Sequence, residues 1–353
     1  MLAPDQREKL AAYLNRPLRI GGKNISSRAV LAPLAGLNHQ AMRESIASCP
    51  GAGLLFTGML SARAVPTENP RKSHAFSWNK QELPFLVGQI FGNEPAQMAA
   101  AAQRLEAEGF FGVDINMGCS VAAIVKKKCG AGLLREPDLA RRIAACVRNA
   151  VNFPVLVKLR SGWQDDPRAL ENTVRLAQTL EAEGVDAVTF HPRLSPDRRT
   201  RPPNLSHLAI IKQALKIPVF GNGNLCTAGD CLAMIEKTNC DGIALGRMAI
   251  ARPWLFQSLL AGEDEFEEAI VKLRSSAVAC LNRLFELWEP GVARKYYKKY
   301  ALYLSGNFSS GSRVYGKLTK GETKQELVEA LEAALDENTA ELSRRPNMLL
   351  FSM

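Results

Sequence analysis

Leu105-Glu106-Ala107-Glu108-Gly109-Phe110-Phe111-Gly112-Val113-Asp114-Ile115-Asn116-Met117-Gly118-Cys119 runs from the end of an Ala-rich helical pattern, through a glycine stop, into an apolar strand that breaks at a further glycine. Its first five residues return as Leu180-Glu181-Ala182-Glu183-Gly184, again followed at once by an apolar segment. A helix that ends on glycine and feeds a buried strand, and does so twice, marks repeated βα units. The helices have recognisable openings. Asn93-Glu94-Pro95 begins the first and Asp166-Pro167 the second, whose Leu170, Val174, Ala177 and Leu180 share one face.

Outward from this unit the same rhythm fills most of the chain. Apolar, β-branched runs recur at 29–35, 54–57, 85–91, 112–117, 154–159, 187–190, 218–221 and 242–245, about 25–45 residues apart. Strands apolar on both faces belong in a parallel sheet covered by helices, and eight of them favour a closed (β/α)8 TIM barrel over an open doubly wound sheet. A Gly-Gly turn within 18–29 predicts a small hairpin ahead of the first strand. After Trp254-Leu255-Phe256 the pattern is helical without strands as far as Asp336. The expected organisation is therefore a barrel over 1–260, a smaller all-helical C-terminal domain over 261–338 and a frayed tail over 339–353.

Composition narrows the function. No apolar run approaches ~18 residues and the N-terminus is charged from Asp5 onward, so neither a transmembrane helix nor a secretory signal is expected and the protein should be cytoplasmic. Its eight cysteines form no C-x-x-C pair and no histidine stands at metal-ligand spacing, which predicts reduced thiols and no metal. The formal charge of +10 points to a polyanionic partner. Residues 290–320 carry seven bases (Arg294, Lys295, Lys298, Lys299, Arg313, Lys317 and Lys320) and no acid, interleaved with Tyr296, Tyr297, Tyr300, Tyr303, Phe308 and Tyr315. One reading is a solvated helix with a packed Tyr stripe. The other is a nucleic-acid surface combining phosphate contacts with stacking rings, which the lack of acids favours. Lys126-Lys127-Lys128 could add phosphate contacts or be a solvated run, and His39, His74 and His207 are expected to be surface or satisfied histidines.

In a (β/α)8 barrel the chemistry sits at the C-terminal strand ends. Those ends carry Pro33 to Gly36, Gln89, Asn116 with Cys119, Lys158 with Arg160, His191 with Arg193, Gly221-Asn222-Gly223, and Gly246-Arg247. The last two loops follow strands seven and eight, where such barrels often bind phosphate: glycines let backbone amides approach an anion and the arginine adds a charge. Lys158, inside an apolar strand, must reach solvent or find an anionic partner; a phosphate-bearing cofactor with an electron-rich ring would supply one, and a buried structural ion pair is the other reading.

These residues stand in motifs that resemble the tRNA-dihydrouridine synthase family: LAPLAGLNHQAMR (31–43), VGQIFG (87–92), NMGCS…KKKCGAGLL (116–134), VKLRSGW (157–163), HPR (191–193), FGNGN (220–224), GIALGRMAIARPWLF (242–256) and ARKYYKKYALYLSG (293–306). The resemblance implies an FMN-bound barrel with a helical tRNA-binding domain, in which NADPH reduces the flavin and the flavin reduces uridine to 5,6-dihydrouridine. Pro33, Ala35, Gln89, Lys158, His191, Asn222, Gly223, Gly246 and Arg247 would hold FMN; Asn116 and Arg193 would face the uracil. Arg294, Lys295, Lys298 and Lys299 would contact the RNA, and Cys119 would be the catalytic acid. Departures are Ser120 where the family has Pro, Asn38-His39 for Thr-Asp, and Pro192 for Gly, with an Arg- and Pro-rich segment after it. They bear on substrate choice and rate.

The chemistry by itself asks for a group like Cys119. The C5–C6 double bond of uracil is conjugated to the C4 carbonyl, so hydride adds at C6 and a proton must reach C5; an ordinary thiol, with a pKa of about 8.5, is protonated at neutral pH. A stacked base cannot reach the barrel, so the nucleotide must be extruded. No G-x-G-x-x-G follows a strand, so NADPH is expected to dock transiently over the flavin. The alternative is a flavin barrel acting on a small free pyrimidine or enone, in the manner of dihydroorotate dehydrogenase. A monomer is expected.

Overall fold

The computed structural model describes residues 2–196 and 202–347; residues 197–201, the centre of the Arg- and Pro-rich segment, lie outside the described residues. The predicted hairpin forms from β1 (Leu18–Ile20) and β2 (Lys23–Ile25), paired antiparallel. The barrel follows as β3 (Ala29–Leu31), β4 (Leu55–Phe56), β5 (Leu60–Ser61), β6 (Leu86–Phe91), β7 (Gly112–Met117), β8 (Val155–Arg160), β9 (Ala187–His191), β10 (Val219–Asn222) and β11 (Gly242–Leu245). Every pairing is parallel and the order is β3-β11-β10-β9-β8-β7-β6-β4, with the short β5 also beside β6. Backbone hydrogen bonds from Leu31 N–H to the Leu54 carbonyl (2.9 Å) and from Gly53 N–H to the Ala29 carbonyl (2.8 Å) bring the two ends together. The expected (β/α)8 barrel is thus what the chain forms.

The repeated Leu-Glu-Ala-Glu-Gly motif has the same purpose in both copies. Leu105 and Leu180 are buried under the sheet. The Glu106 carboxylate accepts the N–H groups of Asn152 and Phe153 (2.7 and 2.9 Å), and Glu181 accepts those of Lys216 and Ile217 at the same two distances. Each glutamate thereby satisfies the chain just before the next strand but one. Gly109 and Gly184 take φ of +90° and +87°, the left-handed region in which glycine ends a helix without strain. The helix Ala169–Ala182 is one residue out of phase with the expected stripe: Thr173, Leu176, Ala177 and Leu180 are buried while Leu170 and Val174 are half-buried. Thr173 takes a core position because its hydroxyl donates to the Ala169 carbonyl (2.8 Å).

Strand residues alternate between two cores. Val30, Ala32, Leu54, Phe56, Val87, Leu156, Ala187, Phe220 and Ala244 fill the barrel, closed at its base by Ile20 and Ile25 of the hairpin. Their neighbours Val157, Leu159, Val188 and Phe190 face the helical layer. Along β8 this puts Leu156, Lys158 and Arg160 on the interior side, ascending from apolar base to polar mouth.

The C-terminal region consists of helices Ala269–Leu287, Pro290–Ser305, Gly311–Leu318 and Lys324–Asn338. It corrects two expectations. Tyr297, Tyr300 and Phe308 are fully buried, so these rings pack the helical core and present no stacking face. Acids from outside the 290–320 window also neutralise part of its charge: Arg294 pairs with Glu322, Arg313 with Glu341 and Lys317 with Glu337. Residues 339–347 are not frayed. Buried Arg252 donates to the carbonyls of Ser343 (2.6 Å) and Arg344 (3.1 Å) and to Asn307 Oδ1 (2.8 Å), and these bonds fasten the tail to the barrel. Among the described residues no helix is long and apolar enough to cross a membrane.

Candidate active site at the barrel mouth

Two adjoining cavities open at the C-terminal strand ends. One, of about 210 Å³, is lined by Pro33, Lys158, His191, Arg193, Asn222, Gly223, Gly246 and Arg247 among others. The second, of about 150 Å³, includes Pro33, Ala35, Gln89, Asn116, Cys119 and Lys158. Pro33, Leu34 and Lys158 belong to both, so the cavities meet over the lysine. All the expected barrel residues lie on these walls. A larger groove of about 750 Å³ runs elsewhere, beside Arg135, Trp163 and Asp165, and holds none of them.

The lining of the larger mouth cavity is strongly cationic. Lys158, Arg160, Arg193 and Arg247 line it, and among its lining residues there is no carboxylate. His191 lies in their midst; burial first, then these four cations, hold its imidazole well below the ordinary range and therefore neutral. Gly223 takes a φ of +125°, and a Cβ there would lie 2.9 Å from His191 Cδ2. Arg247 is oriented by Asn224 Oδ1 (2.9 Å), and Asn222 Nδ2 donates to the Ala244 carbonyl (2.7 Å).

On the other side of the lysine, hydrogen bonds fix the thiol's loop. Asn116 Oδ1 accepts the N–H groups of Gly118 (3.2 Å) and Cys119 (3.0 Å), while Asn116 Nδ2 donates to Gln89 Oε1 (2.8 Å). Gln89 Nε2 in turn donates to Asp114 Oδ2 (2.6 Å). Asn116 therefore uses its amide to hold the loop that carries Cys119. Arg160, assigned no role from sequence, donates through Nε to the Gly118 carbonyl (2.8 Å) and through Nη1 to the Leu194 carbonyl (3.0 Å), tying the Cys119 loop to the β9 loop.

A family model described as dihydrouridine synthase matches residues 30–339. The chain belongs to the dihydrouridine synthase family. A relative named tRNA-dihydrouridine synthase B, from Pseudomonas aeruginosa, is 36% identical over 242 residues, 69% of this chain and 71% of the relative. The protein of the same name from Yersinia pestis is 29% identical over 320 residues, 90% of this chain and 98% of its own. The solved old yellow enzyme from Trypanosoma cruzi shares the fold, with a TM-score of 0.55 at 13% identity, covering 71% of this chain and 92% of that one.

In this family member the unusual Asn38-His39 pair has structural duties. Asn38 Nδ2 bridges the carbonyls of Ala32 (3.0 Å) and Phe56 (2.9 Å), joining the tops of the first two barrel strands. His39 Nδ1 accepts the Met42 N–H (3.2 Å) and caps the helix Gln40–Ala47. Its ring, buried, meets Trp288 and Tyr296 edge-on at 5.1 Å each, joining barrel to C-terminal helices. His74 adds an edge contact to Trp288 at 5.2 Å. The residues expected to contact RNA divide. Arg294 is held by Glu322, whereas Lys295 and Lys299 are exposed, Lys298 is partly so, and none of the three has an acidic partner among the described residues. Lys299 lies over the Tyr296 ring (5.4 Å), and its Nζ is 3.1 Å from where a Gly36 Cβ would stand, which puts this cation at the rim beside the 33–36 loop. Lys128 pairs with Glu136, leaving Lys126 and Lys127 exposed after the Cys119 loop. Tyr303, in sequence only one ring of a stripe, reaches the four-cation cavity from the helical region.

Proposed function

We propose that this protein reduces uridines in tRNA to 5,6-dihydrouridine, with FMN as bound cofactor, NADPH as reductant and Cys119 as proton donor. Family membership supports the reaction class, and the names of the relatives support tRNA as substrate. The observation that carries the site is the carboxylate-free, four-cation cavity adjoining the Cys119 cavity across Lys158. FMN fits the donor set: Asn222, Gly223, Gly246 and Arg247 would receive its phosphate at the loops after the seventh and eighth barrel strands, and Pro33, Ala35, Gln89, Lys158 and His191 would receive its ring and side chain. When bound and reduced, FMN supplies the hydride added to uracil C6.

The chain's own groups complete the reduction. Cys119 Sγ–H delivers the proton to C5 and is re-protonated from solvent, so the base gains one hydride and one proton. Arg193, beside neutral His191 at 3.5 Å, can bond the oxyanion that develops at the C4 carbonyl. Asn116 and Arg160 hold the Cys119 backbone from two directions and keep the thiol aimed at the cavity shared with Lys158. Lys126, Lys127, Lys295, Lys298 and Lys299 provide phosphate contacts for a folded RNA whose target nucleotide is turned out of its stack.

Nucleoside analysis of unmodified tRNA incubated with FMN, NADPH and protein tests this reading. Wild type should produce dihydrouridine, and Cys119→Ala should lose at least a hundredfold in rate while still retaining FMN. No dihydrouridine from FMN-loaded wild type would overturn it.

A further inference from the structure

One charged group inside the barrel has no part in the mechanism above. Asp114 on β7 is fully buried. Its Oδ2 accepts from Gln89 Nε2 at 2.6 Å, while its Oδ1 has no hydrogen-bond partner. It lies on the barrel's interior side, two residues below Asn116, beside Gln89 in register on β6, and one strand away from Lys158, which is in register with Asn116. A buried carboxylate with one oxygen unsatisfied is costly, and an apolar residue there would serve the core better. Its retention calls for a reason in the site above it.

We propose that Asp114 is a positioning residue of the reaction: its carboxylate is the counter-charge of the Lys158 ammonium and the anchor of the Gln89–Asn116 amide relay that sets the Cys119 backbone. The relay follows from donor and acceptor identity. A carboxylate can only accept, so it obliges Gln89 to present Nε2 to it and Oε1 to Asn116. That in turn obliges Asn116 to present Nδ2 to Gln89 and Oδ1 to the N–H groups of Gly118 and Cys119. Without the carboxylate both amides are free to flip, and a flipped Asn116 would set N–H against N–H at Cys119.

Charge couples the same residues independently of the relay. Lys158 is half-buried at the meeting of the two cavities, and the titratable and charged groups acting on it are Arg160, Asp114, Cys119 and His191. Burial, then Arg160, lower the lysine to about 8, and Asp114 opposes them. Asp114 itself is raised to about 7 by burial, against the Gln89 hydrogen bond and Lys158. Both groups are therefore ionised together in a narrow window around pH 7 to 8. Loss of the aspartate charge lets the lysine deprotonate at lower pH.

This inference rests on the flavin reading, and the test separates the two. FMN affinity is measured from pH 6 to 9 by quenching of flavin fluorescence. Wild type should bind more weakly as pH rises through the lysine's range, and Asp114→Asn, which keeps the shape and one acceptor, should begin that decline at least one pH unit lower. Lys158→Arg, permanently charged, should abolish the decline, also in combination with Asp114→Asn, and it decides the charge argument even if Asp114→Asn does not fold. In parallel, iodoacetamide should alkylate Cys119 at a rate changed at least threefold by Asp114→Leu. Wild type that binds no FMN overturns the flavin reading. Normal wild-type binding with an unmoved decline in Asp114→Asn, or a persisting one in Lys158→Arg, overturns the role of Asp114 alone, as does unchanged alkylation in folded Asp114→Leu.

Discussion

At the residue scale, two of the side chains that differ from the family pattern, Asn38 and His39, are explained by what they touch. His39 shows this most clearly, because its cap to Met42 requires an unprotonated Nδ1 while its ring packs against Trp288 and Tyr296. Burial, then Arg43 and Lys299, lower it from 6.5 to about 3. A base whose folded value lies below its unfolded value contributes no penalty above pH 6.5 and loses stability as pH falls from there toward 3, because only the unfolded chain takes up the proton. The slope for one such group is about 1.4 kcal/mol per pH unit. Urea unfolding of His39→Asn, which keeps a capping oxygen, should therefore show a pH dependence between 6 and 4 flatter by about that slope than wild type. Cys119 could be singled out from sequence by its place after a strand-end glycine. Asp114 could not, since a lone acid in an apolar strand does not reveal that a glutamine on the next strand will donate to it.

Elements fix what single residues cannot. The loop after β10 passes over His191 at the edge of the cation-lined cavity, and Gly223 is the position of closest approach. Gly223→Ala would place a Cβ 2.9 Å from His191 Cδ2 at a φ of +125°. Strain of about 1–3 kcal/mol is the usual cost of such a backbone for a non-glycine residue. The variant should keep its far-ultraviolet circular dichroism yet bind FMN at least tenfold more weakly in a fluorescence titration. The helix–glycine–strand repeat was legible because it is local: propensity, stop signal and apolar run adjoin in sequence. That Glu106 and Glu181 reach ahead to the chain before a later strand was not, because that bond spans 46 and 35 residues.

At the scale of the whole molecule, charge is redistributed by folding. The 290–320 window contains no acid in sequence, yet Glu322, Glu337 and Glu341 return to it from the following loop, helix and tail. Exposed ion pairs of this kind are worth little to stability, but they reduce the field available to a polyanion. Of the seven bases in the window, Lys295, Lys298, Lys299 and Lys320 have no acidic partner among the described residues, and the first three are those proposed above to meet RNA. Alanine at Lys295, Lys298 and Lys299 together should lower the slope of log affinity against log salt by about 2, given roughly 0.7–0.9 per phosphate contact. Arg294→Ala should leave that slope unchanged. Fluorescence anisotropy with labelled tRNA across a salt series distinguishes the two.

The barrel, its helical extension and the set of residues at its mouth are legible in residue order, because strand periodicity, glycine stops and strand-end motifs are each encoded within a few residues. How those residues are used emerges from the packing of the folded chain. There Tyr297 and Tyr300 are core, Asn116 is committed to the Cys119 loop, and Asp114 lies beneath the site with one oxygen unsatisfied. Burial and hydrogen-bond direction depend on what the rest of the chain brings alongside, and a linear reading of residue types carries no such information.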